Sequence, residues 1–118
     1  MSRIFYALLF LATLFLVSHF IFEPSYLYYE LTWLDIPMHV LGGMGVGALA
    51  SAIALHRNKK IVLVEMILFF AGIALAWEVY EYARGVMEYD EIGDYIDTLA
   101  DTVNGLLGVI AAYVIVKK

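Results

Sequence analysis

Four runs of about twenty mostly apolar residues take up nearly the whole chain. Each is long enough to cross the ~30 Å hydrocarbon core of a bilayer as a helix. Backbone polar groups find no water in that core, so a spanning segment must satisfy its own hydrogen bonds, as a helix does. The runs fall at about residues 4–22, 35–56, 61–83 and 94–116, leaving little chain for any extramembrane domain. The expected fold is an all-α membrane protein, one four-transmembrane-helix bundle over 1–118. Composition agrees: 64% of the residues are hydrophobic, mean hydropathy is +0.84 and 16% are charged, against about a quarter in an ordinary soluble domain.

The first run begins after an arginine, like a leader peptide. Its apolar core is too long for one and no small-x-small cleavage site follows, so it reads as a membrane helix. Pro24 ends it, because proline cannot continue a helical ladder without a kink. Residues 26–34, YLYYELTWL, are too short to span and dense in the aromatics that favour the headgroup level, which predicts a short interfacial segment. The second run accepts Pro37 in its first turn. It carries the ladder Gly43-x-x-x-Gly47-x-x-x-Ser51, a pattern that lets another helix approach closely. Packing within the bundle is the simplest use of that ladder, and self-association into a homo-oligomer is the alternative.

With four spans, Arg3, the Arg57/Lys59/Lys60 turn and Lys117/Lys118 share one side, and Arg84 is alone on the other. The bias of Lys and Arg toward cytoplasmic loops predicts an inner-membrane protein with both termini in the cytoplasm. Acidic residues are segregated the opposite way, with Glu65 alone near the basic end. Topology does not demand that, because acidic residues contribute little to it. Without cysteine the chain has no disulfide framework, thiolate nucleophile or Cys-ligated zinc. Without a basic patch interleaved with aromatics, nucleic acid is not an expected partner.

The acids form a pattern. Asp94, Asp97, Asp101, Asn104 and Gly108 fall within an arc of roughly 80° if each residue turns about 100° on a helix. From Ile96 onward this helix has ten Leu, Ile or Val residues, worth very roughly 5 kcal/mol of insertion at about 0.3–0.6 kcal/mol each. Two aspartates at mid-depth would cancel that gain, at up to about 2.5–3.5 kcal/mol apiece. The stripe must therefore face the bundle interior or a watered cavity. Asp35-x-x-x-His39 opens the second span, and Glu78-x-x-Glu81 lies near the end of the third, each pair on one helix face. In the four-span topology all three groups enter from the same surface.

Six carboxylates and one imidazole gathered there cannot all be ionised without compensation, so the cluster must hold protons, a cation, or both. Oxygen-rich ligands suit Mg²⁺, Mn²⁺ or Ca²⁺, while an imidazole among carboxylates also admits Zn²⁺ or iron. The expected metal ligands are Asp35, His39, Glu78, Asp97 and Asp101, with Glu81 or Asp94 as general base and Asn104 and Arg84 in support. Simpler roles compete at several positions. Asp35 and Asp94 are also placed to cap helices, and Glu78 or Glu81 could pair with Arg84. His19, near the end of the first span, reads most simply as structural.

The order Asp35-x-x-x-His39-x-x-x-Gly43, Trp77-Glu78-x-x-Glu81, then Gly93-Asp94-x-x-Asp97-Thr98-x-x-Asp101-x-x-Asn104-x-x-x-Gly108 resembles the VanZ-like and YjdF-like small inner-membrane proteins. The likeness covers spans two to four. It implies a multi-span bundle with this site and no defined reaction. Ile36 stands where VanZ-like proteins commonly have Lys, and the Glu-x-x-Glu pair is closer to the YjdF type.

Three functions remain open on the residues. The first is a metal-dependent hydrolase or phosphatase acting on a lipid or lipid-linked substrate by direct water attack. The second is a cation or proton transporter or channel subunit, since intramembrane acids mark such pathways. The third is a membrane module that binds a metal or ligand without turnover.

Overall fold

The computed structural model describes residues 2–85 and 92–117, without the side chains of Ser2, Tyr29, Ile92 and Asp94. It is an all-α bundle of four long helices. Helix α1 covers Ser2–Val17 and continues as a π-helical turn, Ser18–Phe22. A short helix α2, Leu27–Glu30, and a 3₁₀ turn, Thr32–Leu34, lead into α3, Asp35–His56. Helices α4, Leu63–Ala83, and α5, Ile92–Lys117, complete the chain. All four long helices are long and apolar enough to cross a membrane. The molecule's longest extent, 43 Å, matches a bilayer of about 40–45 Å with its headgroups.

The connections are fixed by local chemistry. The Ser18 hydroxyl and the Tyr28 phenol share a hydrogen bond of 2.6 Å, tying the π turn to α2. Burial raises the Tyr28 phenol above its ordinary pKa, which keeps it neutral and able to donate. At the other end of the molecule α3 closes in a Schellman motif. The Lys59 N–H reaches the Ala54 carbonyl at 2.9 Å, the Asn58 N–H reaches Leu55 at 3.0 Å, and Asn58 takes the left-handed conformation (φ 57°) that this cap requires. Helix α4 then starts with the Glu65 carboxylate accepting the Val62 N–H at 3.3 Å.

Helix α3 is central, packing against α1, α4 and most extensively α5. Within its spanning window 39% of residues are buried, against 6% for α1, so the rest of the chain leaves most of α1 uncovered. The core is Val46, Ala50, Met66, Phe70 and Val109, with Met66 and Val109 fully enclosed.

The closest approach is between α3 and α5, which run in the same direction. A Cβ on Gly43 would strike the Gly105 carbonyl oxygen, and one on Gly108 would strike the Val40 carbonyl oxygen. A Cβ on Gly47 would come within 2.8 Å of the Ala112 methyl, and one on Gly105 would enter the Phe70 ring. The glycine ladder of α3 thus has its partner inside the chain, in the second glycine pair on α5. Without a hydrophobic driving force between helices in lipid, such close van der Waals packing is what holds them.

Candidate metal centre

One turn outward from the glycine contact, the two helices carry side chains that bridge the gap. His39 is four residues before Gly43, and Asp101 is four residues before Gly105, so each side chain stands on the face that its glycine packs. Asp35 lies a further turn out on α3. The His39 Nε2 sits 3.1 Å from Asp35 Oδ1 and 3.3 Å from Asp101 Oδ1. One ligand atom from each of the three residues lies within 4.8 Å of the other two.

Exposure is graded along the trio, at 50% of the side chain for Asp35, 26% for His39 and 18% for Asp101. The site opens outward and closes toward the glycines. Both carboxylates converge on one ring nitrogen, with an oxygen of each within 4.8 Å of the other. Carboxylates this near repel when both are ionised, which a shared proton, a bound cation or the imidazolium of His39 between them would relieve.

Helix α4 supplies the third wall. Glu81 stands in the electrostatic field of His39, Asp35 and Asp101. Glu78, three residues away, accepts instead from the Thr98 hydroxyl at 3.3 Å, a bridge between α4 and α5.

The trio is smaller than the set the sequence suggests. Asp35, His39 and Asp101 converge, Glu81 lies within electrostatic range of all three, and Glu78 is engaged with Thr98. Asp97, one turn beyond Asp101 on α5, is exposed and does not join the trio. Asn104 is half-buried below Asp101. The Asp94 side chain lies outside the described residues, so its expected role as a base has no geometry.

Arg84 faces away from the acids. Its Nη2 donates to Glu23 Oε2 at 3.4 Å, and its guanidinium lies 5.4 Å from the centre of the Tyr80 ring. His19 belongs to the same outer cluster. Its Nδ1 is at ion-pair distance from Glu23, 3.2 Å, though not aligned for a hydrogen bond, and its ring stacks on Phe15. Glu23 thus draws Arg84 toward α1, a pairing across 61 positions that spacing along one helix cannot reveal.

Gly105 is the residue that sequence reasoning passed over, while Thr98 stood in the motif without a role of its own. Gly105 had a readable signal: it repeats at i+4 from Asp101 the relation of Gly43 to His39.

No curated protein and no solved structure matches the chain significantly. A family model described as "Predicted membrane protein (DUF2238)" matches residues 1–118. Matched from end to end, with four membrane-length helices and a polar group set between two of them, the chain belongs to this family of predicted membrane proteins.

Proposed function

We propose that Asp35, His39 and Asp101 hold a divalent metal ion, and that the protein is a metal-dependent hydrolase acting on a phosphate or ester of a lipid or lipid-linked molecule. One observation carries the metal. The separations of 3.1 and 3.3 Å from the imidazole nitrogen to the two carboxylate oxygens are close to the edge of a tetrahedron, about 3.3 Å, drawn by ligands about 2.0–2.1 Å from a central zinc. Three protein ligands on an outward-opening site leave a position for water, the pattern of catalytic rather than structural zinc. Iron fits the same donors, and the surrounding oxygens also suit magnesium, manganese or calcium. A cation bound there would supply Lewis acidity toward water and toward a phosphoryl or carbonyl oxygen.

The chain's own groups divide the remaining work. Glu81, within electrostatic range of all three ligands, would take a proton from a water bound at the site. Glu78 and Asp97 extend the acidic rim and act as further cation ligands if a second ion is held. The site lies at the membrane end of the bundle, beside surfaces that lipid covers, so a lipid headgroup reaches it without leaving the bilayer. With the basic turn in the cytoplasm, that end faces outward. The motif likeness to VanZ-like and YjdF-like proteins supports the placing of this residue set and names no reaction.

Transport is the weaker reading. Below His39 and Asp101 the α3–α5 contact closes on glycine backbone, with Phe70, Met66 and Val109 beneath. That favours a one-sided site over a conduction path.

The test is elemental analysis of the purified protein with an activity panel of phospholipids and polyprenyl phosphates. Stoichiometric metal is expected, and is lost in His39→Ala/Asp101→Ala. Turnover is expected to vanish in Glu81→Gln while the metal stays. Metal without turnover on the panel would identify a binding module, and no metal after loading would overturn the site.

A further inference from the structure

At the opposite end of the bundle from the acids, α3 and α4 enclose a concavity of about 200 Å³. Its floor is apolar and its rim is charged. Ala50 and Ala54, one turn apart on α3, leave a slot between Ile53, Ile61 and Phe69, and Arg57 and Lys59 stand at the mouth with Glu65. The backbone at the mouth is well tied, because the N–H groups of residues 57–59 make four hydrogen bonds at 2.9–3.1 Å to the last carbonyls of α3, two of them from Arg57.

Glu65 is committed to the Val62 N–H. Arg57 and Lys59 are exposed, and the rim keeps a net positive charge that Lys60 next to it increases. The slot runs from this cationic rim toward the apolar mid-plane of the spanning helices.

We propose that this slot binds an anionic phospholipid of the surrounding bilayer, its phosphate on Arg57 and Lys59 and the start of an acyl chain over Ala50, Ala54 and Phe69. A phosphodiester is an anion attached to hydrocarbon, which is the order in which rim and floor occur. Juxtamembrane basic groups attract anionic lipid, and guanidinium pairs well with phosphate oxygens. A zwitterionic headgroup offers the same phosphate with its own cation beside it, so the net positive rim selects against it. The bound lipid would brace the α3–α4 turn at the end of the molecule remote from the acid trio.

The experiment is native mass spectrometry of the full chain released from nanodiscs of phosphatidylglycerol and phosphatidylcholine in equal parts. Retention of phosphatidylglycerol over phosphatidylcholine is expected, and Arg57→Gln/Lys59→Gln is expected to lower that preference about tenfold or more. Ala54→Leu keeps every charge but fills the slot, and is expected to lower retention of both lipids. Equal retention of the two lipids by the unaltered chain would overturn the proposal. So would an undiminished preference in the charge variant. Full preference in Ala54→Leu would also overturn it, since the lipid would then be adsorbed on a diffuse basic surface. Circular dichroism of both variants, expected to match the unaltered chain, confirms that each reports on binding by a folded protein.

Discussion

His39 lies between two carboxylates supplied by different helices, and its neighbours should respond to substitution according to what each touches. Asp101 is the least exposed of the three and the one contributed by α5. Asp101→Asn is expected to weaken metal binding by at least the roughly 100-fold that loss of an outer-shell partner can cost, read by competition with a chromogenic chelator. Asp97→Asn, on an exposed side chain, should leave that affinity unchanged. Acidification should weaken binding in the unaltered protein, because imidazole and carboxylate must give up protons to bind. Thr98→Val removes the bridge to Glu78 and should cost about 0.6 kcal/mol, the average for an interhelical hydrogen bond in a membrane, measured by unfolding in mixed micelles. Along the sequence Asp97 and Asp101 look alike, four apart in one stripe. Their difference lies in the tertiary structure, where Asp101 is largely covered and 3.3 Å from His39 on α3, while the Asp97 side chain is exposed.

Among the elements, the α3–α5 contact governs the site without supplying a ligand. Gly43→Ala places a methyl against the Gly105 carbonyl oxygen, which is backbone and cannot swing aside. The helices must separate, and the overlap predicts a loss of about 1–3 kcal/mol, the range for overpacking, together with loss of metal one turn above. Gly42→Ala and Gly72→Ala meet nothing within 4 Å and should be neutral or gain up to about 1 kcal/mol from helix propensity. The comparison separates packing from propensity at adjacent positions. At this scale much was legible. Apolar length marked the four helices, and the Gly43/Gly47 ladder announced a close partner. Which helix would be that partner was not legible, because Gly105 and Gly108 on α5 become a docking face only when α5 lies parallel to α3.

For the molecule as a whole, two predictions concern orientation and binding. With no native cysteine, single-cysteine variants report sidedness cleanly. In intact cells an impermeant maleimide should label Ser25→Cys, in the turn at the acidic end, and should spare Lys59→Cys at the basic turn. Metal at 100 times its dissociation constant should stabilise the bundle by about 2.7 kcal/mol, and should do nothing for Asp101→Asn. The amino-acid sequence by itself determined that this chain is a bundle of four membrane-length helices, since hydrocarbon leaves a long apolar run no other way to satisfy its backbone. It also determined that acids gather at one end, because spacing along a helix fixes which residues share a face. Only the tertiary structure decided which of those acids meet. That depends on the glycine-to-glycine approach of α3 and α5, which sets distances between residues far apart in the chain.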